Sequence, residues 1–74
     1  MPGKNQHVLK RNGHWAVIGE GNSRATSTHK TQNEATKVAT SIAKNQKSEL
    51  IVHDKEGLIS RRNSYGNDPY PPKG

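Results

Sequence analysis

Arginine and histidine are the residues of this chain whose chemistry points most directly to a function. Lys and Arg number 12 against 6 Asp and Glu in 74 residues, so the formal net charge is +6 and the pI is about 10.0. Arginine can grip a phosphate with two parallel N–H donors. A basic balance in a small domain therefore favours a polyanionic partner, above all nucleic acid. A net charge of this size can also serve solubility alone.

The histidines and acids do not form a catalytic or metal-binding pattern. His7, His14, His29 and His53 lack the H-x-H or H-x3-H spacing that preorganises a chelate, and cysteine is absent. The chain has no glycine-rich phosphate loop and no nucleophile motif. It is also short for an enclosed substrate pocket. We therefore expect no enzymatic activity, no metal, no cofactor and no small-molecule substrate.

One helix is predicted to organise the elements that carry these residues. The segment from Thr31 to Lys47 opens with Thr31 and Glu34, the spacing of a capping box. Its apolar residues recur at helical spacing and form one narrow stripe: Ala35, Val38, Ala39, Ile42 and Ala43. An isolated helix of this length is marginal in water, so a sheet must cover the stripe.

A hairpin before the helix sorts the charged residues onto one sheet face. Asn12-Gly13 between two short apolar segments predicts a two-residue turn, which pairs Arg11 with His14 and Val8 with Val17. Alternation then separates two faces. We assign the set with the single tryptophan to the helix side: Val8, Lys10, Trp15 and Val17. The opposite set faces outward on what we call the bare face: His7, Leu9, Arg11, His14, Ala16 and Ile18.

Three further strands are expected, at Arg24–His29, at Glu49–His53 and from Leu58 to Arg62, with a type I turn at Asp54 to Gly57. The order β-β-β-α-β-β predicts an α+β fold of two layers, an antiparallel sheet with one amphipathic helix on one face.

Residues 1–6 are expected to form a frayed N-terminus and residues 7–62 a single domain. Residues 63–74, rich in Pro and Gly, are either disordered or an extended strap.

Two functions remain open after this assignment. The nucleic-acid interpretation places phosphate contacts on a basic sheet surface and prefers a duplex, since stacked aromatics are missing from the bare face. Its candidate residues are His7, Arg11, His14, Arg24, Arg61 and Arg62. The alternative is a protein-interaction or homodimerisation module with no nucleic-acid role. In that case Leu9 and Ile18 would be buried by a second copy.

Composition also bears on where the protein works. No apolar run approaches the roughly 20 residues that span a bilayer, and the first residues lack the apolar segment of a signal peptide. We therefore expect a cytoplasmic protein with no membrane partner.

The succession of these segments resembles a known family. Its most specific parts are Trp15-Ala16-Val17, Thr31 with Glu34-Ala35, Glu49-Leu50 to His53, Gly57, and Ser64-Tyr65-Gly66 with Asp68-Pro69. From His7 to Gly74 the chain is similar to the small bacterial and phage proteins known as domain of unknown function 2188. The resemblance implies a bacterial or phage-type cytosolic protein and carries no activity, cofactor or catalytic residue.

Overall fold

Five strands and one helix follow one another in residues 4–65, the residues that the computed structural model describes. The elements are β1 Gln6–Arg11, β2 His14–Gly19, β3 Ser27–His29, α1 Gln32–Gln46, β4 Glu49–His53 and β5 Ile59–Ser64. The α+β class and the element order are confirmed, and β3 is shorter than predicted. Residues 66–74 of the expected strap lie outside the described residues.

The β1–β2 hairpin has the turn and the register that its sequence predicts. Asn12 and Gly13 adopt φ values of 51° and 80°, the left-handed region that a two-residue hairpin turn needs at both positions. Arg11 pairs with His14 and Val8 with Val17. The predicted turn at Asp54 also forms, because Gly57 N donates to Asp54 O at 3.0 Å and Gly57 adopts a φ of 89°.

The prediction of an antiparallel sheet is wrong at the central pair of strands. The strand order is β3-β2-β1-β4-β5, and β1 pairs with β4 in parallel. The two hairpin-type connections make β3 run in the same direction as β1. The helix then carries the chain back across the sheet, so that β4 repeats this direction beside β1. A helical crossover is the connection that parallel strands require.

The helix begins and ends as the sequence indicates. Thr31 Oγ1 accepts a hydrogen bond from Glu34 N at 3.1 Å. At the other end Lys47 adopts the left-handed conformation with a φ of 54°, and the following Ser48 N donates to Ala43 O at 2.9 Å. In the described residues no helix is long and apolar enough to cross a membrane.

The core lies between the alanine stripe of α1 and one face of the sheet. Its fully or nearly fully buried members are Val8, Val17, Ala35, Ala39, Ala43, Leu50 and Val52. Trp15 is on the predicted side but is only partly buried at the margin, with Lys10 Nζ 5.9 Å from its ring centroid. Tyr65 packs against the same core from the end of β5, and its N–H donates to Ser48 O at 3.0 Å.

A core truncation measures how much this thin core contributes to stability. Leu50 is among the largest fully buried side chains, with 1% of its surface exposed, whereas Leu58 is 64% exposed. Leu50→Ala should lower the free energy of unfolding by about 2–5 kcal/mol. Leu58→Ala removes the same atoms from water-exposed surface and should change it by less than about 0.5 kcal/mol. Urea unfolding followed by Trp15 fluorescence measures both values, and equal losses would contradict this assignment of the core.

Candidate nucleic-acid interface

The bare face is the sheet surface opposite α1, and the strand registers fix its members. Leu50 and Val52 belong to the helix-side core, so the alternate residues of β4 face the other way. Pairing then adds Thr28 opposite Ala16 and Arg62 opposite Ile51. The bare face carries His7, Leu9, Arg11, His14, Ala16, Ile18, Thr28, Glu49, Ile51, His53 and Arg62.

The middle of this face is apolar and largely hidden from solvent. Ala16 is fully buried, Ile51 is 2% exposed and Ile18 is 8% exposed, although no helix of residues 4–65 covers them. Leu9 is half-buried. Of the two residues suggested for self-association, Ile18 thus offers almost no area to a second copy. The chemistry of the bare face comes from the polar residues around this apolar centre.

Two of the six candidate phosphate contacts lie together at the β1–β2 hairpin tip. Arg11 and His14 are direct partners across the hairpin, and both are exposed. Nδ1 of His14 lies 3.2 Å from Asn12 O. Because a carbonyl oxygen only accepts, this Nδ1 carries the hydrogen. Nε2 of His14 can therefore donate to a phosphate only after the ring gains a second proton.

The other candidates are spread over the molecule. Arg62 lies on the bare face at the outer strand, whereas Arg61 pairs with Val52 and therefore faces the helix side of the sheet. Arg24 is exposed in the connection between β2 and β3. His7 lies on the bare face but is tied to neighbouring side chains. The structure thus brings Arg11 and His14 together and separates them from Arg24 and Arg61.

Ion pairs determine which of these cationic side chains are available to bind phosphate. Within residues 4–65 the salt bridges are His7 Nε2 to Glu20 Oε1 at 3.0 Å and Arg62 Nε to Glu49 Oε1 at 3.7 Å. In the same part of the chain, Arg11, Arg24 and Arg61 make no ion pair. The positive charge of the hairpin tip is therefore uncompensated, while that of Arg62 is partly neutralised.

A chain of hydrogen bonds on the bare face was missed by sequence reasoning. His7 Nδ1 lies 3.0 Å from His53 Nε2, and the two rings stack with centroids 5.3 Å apart. His7 Nε2 contacts Glu20 Oε1 at 3.0 Å, and His53 Nδ1 contacts Gly57 O at 3.3 Å. Parallel pairing of β1 with β4 creates this contact between residues 46 positions apart. Sequence spacing alone could not reveal it.

Counting hydrogens shows that this chain of contacts needs an extra proton. Glu20 and Gly57 offer only acceptors, so His7 Nε2 and His53 Nδ1 must both donate. The contact between the two rings needs a third N–H. Two neutral imidazoles hold only two such hydrogens, so all three bonds form when one ring is cationic. In that cationic form, His7 Nε2 donates to the Glu20 carboxylate at 3.0 Å.

The carboxylate of Glu20 responds to these neighbours. The hydrogen bond from His7, followed by the one from Asn5, lowers the pKa of Glu20 below its ordinary value of 4.5, and the charges of His7 and Arg62 act in the same direction. A lowered pKa means that the ionised form stabilises the folded state. This stabilisation is present above pH 4.5 and is lost as the pH falls through the pKa of the folded protein.

Replacing Glu20 with its neutral isostere tests this linkage. Glu20→Gln should melt at a lower temperature than the parent protein at pH 7, because the amide cannot supply the negative charge. The difference in melting temperature should shrink as the pH falls through the pKa of Glu20 in the folded protein, which lies below 4.5. Thermal unfolding followed by circular dichroism measures it. Glu56→Gln is the charge-matched control in the exposed β4–β5 turn, and a Glu20→Gln effect that ignores pH would contradict the linkage.

The histidine cluster does not extend to a metal centre. Within residues 4–65, no group of three or more His, Cys, Asp or Glu side chains could hold a metal ion. The bare face carries two separate features, the basic hairpin tip and the hydrogen-bonded pair of His7 and His53.

Comparison with known proteins gives relatives but no activity. The family described as "Uncharacterized protein conserved in bacteria" matches residues 6–65. The "Uncharacterized protein YdaT" of Bacillus subtilis (strain 168) is 36% identical over 64 residues, which cover 86% of this chain and 43% of that protein. The chain therefore spans less than half the length of this relative. No solved structure matches the chain.

Proposed function

The chain belongs to the bacterial family of domain of unknown function 2188, and we propose that it is a non-enzymatic domain that binds duplex nucleic acid by its phosphates. The observation that carries the proposal is the uncompensated positive charge at the β1–β2 hairpin tip. Arg11 is exposed there beside His14, and among residues 4–65 it has no acidic partner. Arginine at such a position is suited to two-pronged phosphate contacts.

The shape of the hairpin supports contact with a duplex. A two-stranded β element fits the major groove of B-form DNA and can carry its tip side chains to the phosphates. Arg24 and Arg62 add positive charge elsewhere on the molecule. The net charge of +6 would attract the domain to a polyanion over a distance of about a Debye length. Among residues 4–65 the bare face carries no Trp, Tyr or Phe for stacking on unpaired bases, and its His7 and His53 rings already stack on each other, so a duplex is favoured over a single strand.

A protein-interaction role is the second candidate, and a separate observation favours it. Leu58 and Ile59 are 64% and 55% exposed at the start of the outer strand, two strands away from β1 in the strand order. Self-association through Leu9 and Ile18 has less support, because Ile18 is 8% exposed. The two roles use different parts of the surface and can be tested independently.

Salt dependence separates phosphate contacts from other modes of binding. Each phosphate contact contributes about −0.9 to the slope of log affinity against log salt concentration on B-form DNA. Arg11→Ala should therefore flatten the slope by about one unit and weaken binding without unfolding the domain. Fluorescence anisotropy with a labelled duplex between roughly 50 and 200 mM salt measures this slope.

Lys37→Ala is the matched control, since it removes one positive charge from the exposed surface of α1. It should leave the slope unchanged within error. Equal effects of Arg11→Ala and Lys37→Ala would mean that only net charge matters, which contradicts a site at the hairpin tip. No measurable duplex binding at about 50 mM salt with micromolar protein would reject the nucleic-acid role itself.

A further inference from the structure

The outer edge of β5 is the surface left unexplained by phosphate binding. β5 is the last strand of the sheet and pairs only with β4. Its residues are exposed except Asn63, and two large exposed apolar residues lie at its start, Leu58 just before the strand and Ile59 as its first residue. Among residues 4–65 no strand covers its outer side. An edge of this kind presents unpaired N–H and C=O groups that can template another strand.

The main-chain groups that point outward can be assigned. Tyr65 N donates to Ser48 O at 3.0 Å, so Tyr65 directs its main-chain groups toward β4. Hydrogen-bonding direction alternates along an antiparallel strand. Arg61 and Asn63 therefore also bond toward β4, and Arg62 and Ser64 direct their N–H and C=O groups outward. These two residues form the start of a second ladder.

A second copy of this chain is a poor occupant of that ladder. When two copies of β5 pair antiparallel, each residue that bonds outward lies opposite another residue that bonds outward. The two-fold axis of such a pair therefore passes through one residue and not between two residues. The central residues of Ile59–Ser64 are Arg61 and Arg62. A full-length pairing centred on either one places its guanidinium directly opposite the same group of the other copy. Like charges directly opposite one another are destabilising in a sheet.

The same two arginines favour an acidic partner. Arg61 and Arg62 point to opposite faces of the sheet, so a strand added to the edge would meet a positive charge on each of its faces. Arg61 has no ion pair in the described part of the chain. The pair between Arg62 and Glu49 is long, at 3.7 Å, and its two side chains are 59% and 41% exposed. Leu58 and Ile59 would give the added strand an apolar contact at one end.

We propose that β5 accepts an extended acidic segment of another protein as a sixth strand of the sheet. Main-chain bonds to Arg62 and Ser64 would hold the segment, and acidic side chains on both of its faces would pair with Arg61 and Arg62. This is the strand-addition mode of peptide recognition, in which the main chain supplies affinity and side chains supply specificity. The site is independent of the hairpin tip, so its test does not depend on nucleic-acid binding.

Amide exchange and peptide titration test the proposal on the full chain. The probe is a synthetic peptide of about eight residues, the length of an ordinary strand, with valines at one end and glutamates at its central positions. The matched probe has glutamine in place of each glutamate. Saturating glutamate peptide should slow amide exchange at Arg62 and Ser64 selectively, since Arg61 and Asn63 already bond to β4. The glutamine peptide should bind at least about tenfold more weakly.

Two variants of one position separate the ladder from the side chain. Ser64→Pro removes an outward N–H without changing the charge, and proline is tolerated on edge strands with that orientation. It should weaken peptide binding about tenfold, the loss expected for one hydrogen bond, whereas Ser64→Ala keeps the N–H and should bind like the parent protein. Should Ser64→Pro lose its native circular dichroism, Arg61→Gln with Arg62→Gln tests the same edge through its charge and should also weaken binding.

Four results would overturn the proposal. The first is slow exchange of the Arg62 and Ser64 amides in the free protein, because the edge would then already be occupied. The second is equal binding of the two peptides or no binding of either. The third is a dimer, seen by light scattering, that Ser64→Pro dissociates. The fourth is protection of these two amides by a DNA duplex in place of the peptide.

Discussion

Parallel pairing of β1 with β4 is the constraint on which the rest of the structure depends. It sets Val8 beside Val52 in the core under α1 and His7 beside Ile51 on the bare face. Because β4 occupies the remaining side of β1, β5 pairs on the far side of β4 and becomes an edge strand. The histidine chain, the buried apolar centre of the bare face and the exposed β5 edge all follow from this one pair.

Charge is arranged on this sheet so that its centre is nearly neutral and its margins are basic. Glu20 contacts His7 at 3.0 Å near the centre, and Glu49 lies 3.7 Å from Arg62. Arg11 at the hairpin tip and Arg61 at the outer strand lack such partners within residues 4–65. The net charge of +6 therefore does not describe the local charge that a ligand encounters, because that charge depends on which margin of the sheet the ligand approaches.

The parts of the fold that depend on neighbouring residues could be predicted from the sequence, and those that depend on tertiary pairing could not. Asn12-Gly13 predicts a two-residue hairpin turn, and Thr31 with Glu34 predicts the start of a helix, because each pattern acts within a few residues. The direction of β4 depends on how α1 crosses the sheet, which no local pattern encodes. Trp15 was assigned to the correct face, but its partial exposure depends on the size of the surrounding layer. The contact of His7 with His53 depends on the parallel pair of β1 and β4, so the sequence could identify the basic hairpin tip but not this contact.

The position of β1 also has a consequence for how the protein is made. During synthesis β1 and β2 leave the ribosome early and can form their hairpin, since their contacts are local. The other side of β1 stays open until β4 has emerged, more than 40 residues later, because Val8 pairs with Val52. Until then β1 is paired on one side only, with β2, and its Val8 lacks a neighbour that the core provides. Assembly of the core therefore waits for a strand that is synthesised more than 40 residues after β1.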